Sequence, residues 1–247
     1  MNTEKIISTF KNVNNLHELR LGLDLFNKSL LEGQGKLWTC YTQIFNSSLE
    51  KPLIYLHNRF PLEWQIRYDE KNYHLIDPSW GHCKHSTIPF FWSDIKNLTQ
   101  EQKAMVDDAF THGFRSGVLI PFHGRTGYSL LWIMSPKNEN ESRHCLELIK
   151  RRSYEILPFI YEAVTQTVFG NKPILTKRET EVLYWIAEGL RTDETGEKLK
   201  ISPATVEKHV SNACTKLEAK NRTQCVRIAL NLGVIIPGET SFNYYKE

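Results

Sequence analysis

A chain of 247 residues with 40 % hydrophobic and 11 % aromatic content has enough apolar surface for a real core, in one large domain or two ordinary ones. A formal net charge of +3 is too mild to announce a polyanionic partner by charge alone. Five scattered cysteines (Cys40, Cys83, Cys145, Cys214, Cys225), odd in number and without a CxxC pair, argue against a disulfide framework and for a reducing compartment.

From the N-terminus, MNTEKIISTF lacks a basic region followed by an apolar core, so no signal peptide is expected. Residues 3–34 read as one or two amphipathic helices, with Ile6, Ile7 and Phe10, then Leu19, Leu23, Phe26 and Leu30 at helical intervals. Lys36 to Phe45 and Pro52 to Leu56 are rich in aromatic and β-branched residues and predict a hairpin turning at Asn46-Ser47-Ser48. Pro61 to Asn72 predicts a helix, and Leu75 to Trp92 an irregular segment. Thr99 with Gln102 makes a capping box for a helix over 99–112. Phe114 to Phe122 and Tyr128 to Ser135 predict a second hairpin, and a long helix from about Glu139 to Val168 follows. The longest apolar run, Tyr128 to Met134, is far too short to span a bilayer, so a soluble, cytoplasmic protein is expected. Hairpins flanked by helices argue for an α+β domain, an α/β/α sandwich around an antiparallel sheet. Gly170-Asn171-Lys172-Pro173 marks a shift of composition.

Beyond it, Leu175 to Leu217 reads as three short helices. Thr176-Lys177-Arg178-Glu179 has capping-box form, and Val182, Leu183, Ile186 and Ala187 recur at helical spacing until Gly189. Thr192 caps a second helix through Leu199, and Ser202-Pro203 opens a third. Val206, Val210, Ala213 and Leu217 fall on one face of that third helix. Lys208, Ser211 and Thr215 fall on the other, with Glu207 at its margin. This spacing suits a helix-turn-helix whose second member enters the major groove, and equally a small helical bundle with a solvated face. Thr223 to Leu232 predicts a fourth helix. The expected division is 1–168, a linker at 169–174, an all-α four-helix domain at 175–235 and a loose tail at 236–247.

The informative N-terminal stretch is residues 59–94. Trp64 and Tyr68 are four apart on a helix, hence on one face. Asp77 precedes Pro78, which holds the chain extended and aims the carboxylate independently of any helix. With Trp92, these residues describe a pocket for a small, mostly apolar molecule carrying an N–H donor, or else a hydrophobic core with one N-capping Asp.

The wording of the chain decides between these alternatives. LTKRETEVLYWIAEG, ISPATVEKHVSNACTKL and NRTQ closely resemble the DNA-binding domain of LuxR-type transcription regulators. Trp64, Tyr68, Asp77, Pro78, Trp92 and Gly117 match, in register, the acyl-homoserine-lactone-binding domain of the same family. The resemblance implies a non-enzymatic quorum-sensing regulator that controls a palindromic promoter site as a homodimer, paired through the 139–168 helix and the last helix. It implies that the Trp64 indole donates to the lactone carbonyl and Asp77 accepts the amide N–H. Tyr68 and Trp92 would pack on the ligand, and Tyr41, Met105 and Ala109 would line the pocket. On the DNA side, Lys208 and Ser211 would contact bases while Thr205, Lys216 and Arg222 grip phosphates.

Three departures matter. Phe60 stands where the family commonly has Tyr, and Ile133 where it has Thr or Ser. One lost hydrogen bond to the acyl carbonyl would cost about 1–3 kcal/mol, so an altered ligand or weaker binding is expected. Glu194-Thr195-Gly196 replaces the usual Glu-Ile-Ala, at about 1 kcal/mol in helix propensity for the Gly. Trp80 and Trp132 add bulk that would shorten the acyl tunnel.

Rival constellations have little support. His82, Cys83 and His85 lack a spaced second pair for zinc, and no hydrolase elbow or phosphate loop occurs, so neither a metal nor a cofactor is expected. Asp107 and Asp108 read as a solvated helix face. The remaining alternative keeps the DNA-binding half but gives the sensor a non-lactone ligand or none.

Overall fold

Asn15 splits the N-terminal apolar stretch into two helices. Its side chain accepts from the Glu18 N–H at 3.0 Å and so starts α2 (Leu16–Leu31) after α1 (Thr3–Lys11). The computed structural model describes residues 3–45, 54–170 and 174–236. Two units separate by their internal contacts, the first holding most residues up to Gly170 and the second those from 174 on.

The first unit is built on a five-stranded sheet. Its strands are β1 (Trp38–Phe45), β2 (Ile54–Asn58), β3 (Phe90–Phe91), β4 (Ser116–Gly124) and β5 (Gly127–Ser135), in the order β2-β1-β5-β4-β3. β1 and β2 pair antiparallel from Cys40 opposite Asn58 to Ile44 opposite Ile54; the turn expected at 46–48 lies outside the described residues. The short β3, not anticipated, pairs antiparallel with β4 at the edge.

Strand alternation sends neighbouring side chains to opposite faces. On one face Gln43 donates to Thr165 Oγ1 at 2.9 Å, and Phe122 packs on the ring of Tyr161 at 5.2 Å; both partners belong to α6 (Glu139–Phe169). On the other face Cys40, Leu119, Leu130, Trp132 and Met134 join one core with Trp64, Cys83, Met105 and Ala109. Those partners come from α3 (Leu62–Glu70), α4 (Pro78–His85) and α5 (Gln100–Thr111). The result is the expected α/β/α sandwich. Gly117 lets this inner layer close, because a Cβ there would collide with Met134 Sδ and sit 3.0 Å from the Ile133 carbonyl oxygen.

The second unit is all helical: α7 (Lys177–Ala187), α8 (Thr192–Leu199), α9 (Pro203–Lys216) and α10 (Arg222–Asn231). The Thr176 capping box is formed, with Thr176 N–H donating to Glu179 Oε2 at 2.8 Å and Glu179 N–H to Thr176 Oγ1 at 3.3 Å. Ser202 caps α9 through the Thr205 N–H, with Pro203 at its first position. Val182, Val206 and Val210 form the centre on which Ile186, Leu199 and Ile201 pack. Thr192 is the first residue of α8 and not its cap; the Arg191 N–H is met instead by Glu194 at 2.7 Å. Among the described residues no helix is long and apolar enough to cross a membrane.

Candidate functional site

Between the sheet and the layer of α3, α4 and α5 lies a cavity of about 460 Å³. Trp64 and Tyr68 reach it from successive turns of α3. Asp77 reaches it from the N-cap of α4, the helix that stands where an irregular segment was expected. Asp-Pro is a helix start of the same kind as Ser202-Pro203: the acid accepts from the second amide, and Pro occupies the position that needs no N–H. Asp77 is therefore aimed by a helix, contrary to the extended-chain expectation.

The carboxylate is 8 % exposed. Its Oδ1 accepts the Ser79 N–H at 2.8 Å and the Ser79 hydroxyl, and its Oδ2 accepts the Tyr68 hydroxyl at 2.9 Å. All three donors are neutral, and a carboxylate has about four acceptor positions, so one remains for a further donor. Burial raises the Asp77 pKa above the ordinary carboxylate value, against the opposing pull of the Ser79 and Tyr68 hydrogen bonds. The Trp64 ring is 4 % exposed and packs edge-on to Tyr68 at 5.8 Å and to Phe114 at 5.5 Å. Its indole N–H has no hydrogen-bond partner among the described residues, although this side chain lines the cavity. Burial pushes the Cys40 thiol in the wall up to about 12, which makes it a neutral surface and no nucleophile.

Of the nine residues singled out for the pocket, seven line this cavity: Phe60, Trp64, Tyr68, Asp77, Trp92, Met105 and Ala109. Tyr41 and Ile133 do not, and both expectations are corrected by strand alternation. Tyr41 stands between the cavity residues Cys40 and Thr42 and turns to the opposite face, where its hydroxyl donates to Gln43 Oε1 at 2.7 Å. Ile133 stands between Trp132 and Met134 and is fully buried on that same far face. Cys40, Thr42, Ser79, Phe114 and Met134 are wall residues the sequence reading missed. Asp108 is not on a solvated face: Arg67 and Tyr73 hold it at 2.7 and 2.6 Å. Among the described residues no group of three or more His, Cys, Asp or Glu is placed to hold a metal ion.

In the second unit, Val206, Val210 and Ala213 are buried, while Lys208, Ser211 and Thr215 are exposed on the opposite side of α9. The Lys208 ammonium forms no ion pair or hydrogen bond among the described residues. Thr205 is half-buried, its hydroxyl 2.8 Å from that of Ser202. Lys216 and Arg222 are otherwise engaged. Lys216 Nζ donates to both oxygens of Glu179, at 2.9 and 2.7 Å. Arg222 donates to Thr192 Oγ1 at 2.8 Å and pairs with Glu207 at 3.5 Å, and the Thr192 hydroxyl donates to that same Glu207 at 2.6 Å. These contacts join α7 to α9 and α8 to α10.

An aromatic-walled cavity with one open acceptor, together with a separate helix-turn-helix, defines a transcription regulator that answers to a small molecule. The sequence agrees. The autoinducer binding domain matches residues 32–156, and the bacterial regulatory proteins of the luxR family match residues 173–229. The chain belongs to the LuxR family, a family of DNA-binding transcription regulators and not of enzymes. It is 31 % identical over 189 residues to the transcriptional activator protein BjaR1 of Bradyrhizobium diazoefficiens, covering 74 % of this chain and 76 % of that one. It is 29 % identical over 198 residues to the transcriptional activator protein VanR of Vibrio anguillarum, covering 78 % and 82 %. Its fold is shared with Escherichia coli SdiA, at a TM-score of 0.71, 23 % identity and coverage of 95 % and 98 %.

Proposed function

We propose that the chain is a quorum-sensing regulator that binds an N-acyl-homoserine lactone in this cavity and controls promoter binding as a homodimer. The observation that carries the reading is the buried Asp77 carboxylate, saturated except for one acceptor position, in the wall of a cavity that also holds the unpaired Trp64 N–H. An acyl amide supplies the N–H that Asp77 lacks, and the lactone carbonyl supplies the acceptor that Trp64 lacks. Tyr68 and Trp92 pack on the ligand, and Phe60, Met105 and Ala109 complete the walls. Phe60 offers no hydroxyl to the acyl carbonyl, which favours a ligand bound about one to two orders of magnitude more weakly, or one with fewer acceptors.

Residues 1–168 serve as the sensor, 169–174 as the linker and 175–235 as the DNA-binding domain. Ligand burial stabilises the sensor by mass action. α6 and α10 supply the dimer contacts, and two α9 helices then meet palindromic half-sites about one helical turn, or a multiple, apart in the cytoplasm. Lys208 and Ser211 read bases and Thr205 meets phosphate. Lys216 and Arg222 tie the helices together through Glu179, Thr192 and Glu207, and their remaining N–H groups are left to meet phosphate.

The test is to express the full chain with and without butanoyl- to dodecanoyl-homoserine lactones and compare soluble yield, melting temperature and gel shift on a palindromic site. At least one lactone is expected to raise the melting temperature by several degrees. Lys208→Ala with Ser211→Ala is expected to abolish the shift. Stability indifferent to every lactone would refute the ligand assignment and favour a non-lactone molecule.

A further inference from the structure

Trp80, in the first turn of α4, and Trp132, on the cavity face of β5, meet edge to face with ring centroids 4.8 Å apart and planes at 76°. Both line the cavity. At that separation the rings are in contact, and no methylene chain passes between them. Each indole also touches the polar end of the site. Trp80 Nε1 donates to the Tyr68 hydroxyl at 3.4 Å and Trp132 Nε1 to the Ser79 hydroxyl at 3.5 Å. Those two hydroxyls are the ones that donate to Asp77, one to each carboxylate oxygen. The indole pair is therefore a wall standing one side chain away from the acid that would anchor the ligand.

We infer that Trp80 and Trp132 are specificity-determining residues that limit the site to short acyl tails; the inference rests on the lactone reading above. A ligand whose amide engages Asp77 begins its tail beside this wall and cannot extend through it. The hydrogen bonds add a positioning role. By holding the Tyr68 and Ser79 hydroxyls as donors to Asp77, the indoles leave the remaining acceptor position for the ligand. Trimming an indole to an aliphatic side chain removes both the barrier and one such hold, whereas Phe keeps most of the barrier and loses only the N–H.

Calorimetry on the full chain with butanoyl-, hexanoyl-, octanoyl-, decanoyl- and dodecanoyl-homoserine lactone tests this. The unaltered protein is expected to bind hexanoyl more tightly than decanoyl. Trp132→Leu is expected to shift the decanoyl-to-hexanoyl affinity ratio towards decanoyl by at least about tenfold, since the added methylenes gain a buried place. Trp80→Leu shifts it the same way. Trp132→Phe, the variant to rely on if the Leu variants fail to fold, is expected to weaken every lactone with a smaller change in that ratio. An unchanged ratio in all three variants overturns the length limit and leaves the lactone reading standing. Absence of binding by any lactone to the unaltered protein overturns both.

Discussion

Two carboxylates, one in each unit, sit at the start of a helix and out of water: Asp77 at 8 % exposure and Glu179 at 3 %. Both act as caps. Asp77 meets only neutral donors, so desolvation prevails and its pKa rises. Around Glu179 desolvation is again the largest single influence, but the Lys216 ammonium and the Thr176 N–H and hydroxyl together outweigh it, and its pKa falls. The contrast separates two uses of a buried acid. A carboxylate closed by a cation is finished structure, and its charge holds helices together. A carboxylate left without a counter-ion beside a cavity is poorly served by the protein alone, and its spare acceptor position is open to something from outside.

The largest effect should come from breaking the closed case. Lys216→Met leaves Glu179 buried without its counter-charge, which costs about 2–3 kcal/mol, discounted for a lysine side chain that is 40 % exposed. Hydrogen exchange at the α7 and α9 amides reads it. A Glu179 pKa below the unfolded value means that stability present at neutral pH is lost as the pH falls through the folded value, and Lys216→Met should flatten that loss. Were exchange unchanged and the salt dependence of DNA binding reduced instead, Lys216 would be a phosphate contact and no structural tie.

Asp77→Asn addresses the open case. Lactone affinity is expected to fall about tenfold to a hundredfold, the loss of one hydrogen bond to a charged acceptor, while the unliganded protein keeps or gains stability. The sign of the pH dependence is opposite to that of Glu179. A raised folded pKa means the folded state holds its proton more tightly than the unfolded one, so acidification through that value stabilises the empty sensor. Ligand affinity runs the other way, weakening as the acceptor is protonated, and Asp77→Asn should abolish that pH dependence. Calorimetry from neutral to mildly acid pH distinguishes the two slopes; parallel behaviour of both acids would dissolve the comparison.

What was legible in the chain follows the same division between local and non-local physics. Capping boxes at Thr99 and Thr176 involve partners three residues apart, and both form as read. The start of α4 is legible in Asp77-Pro78, but its eight residues carry no strong apolar stripe for helical periodicity to show. The two-residue β3 has no period to read and exists because β4 offers it an edge. On the strands, naming Trp132 as bulk in the tunnel already implied that Ile133 turns away, since adjacent strand residues cannot share a face. Tyr41 had no such neighbour to correct it. The pairings of Lys216 with Glu179 and of Arg222 with Glu207 span 37 and 15 residues, and only the packed helices bring them together.

The smallest expected effect lies in α8, where the chain departs from its family. Thr195 is fully buried, and its hydroxyl finds no partner among the described residues. Val has the same shape and nothing to satisfy, so Thr195→Val should stabilise the DNA-binding unit by about 1 kcal/mol. The adjacent Gly196 invites the opposite error. Ala is the better helix former by about 1 kcal/mol, yet a Cβ at Gly196 would lie 2.7 Å from the Ile201 carbonyl oxygen, which is backbone and cannot swing aside. Crowding of that kind costs about 1–3 kcal/mol, so sterics should cancel or exceed propensity and Gly196→Ala should gain nothing. Urea denaturation of the two variants measures the pair. A stabilised Gly196→Ala protein would mean that the turn from α8 into α9 yields more readily than its hydrogen bond from Ile201 N–H to the Gly196 carbonyl, at 2.9 Å, suggests.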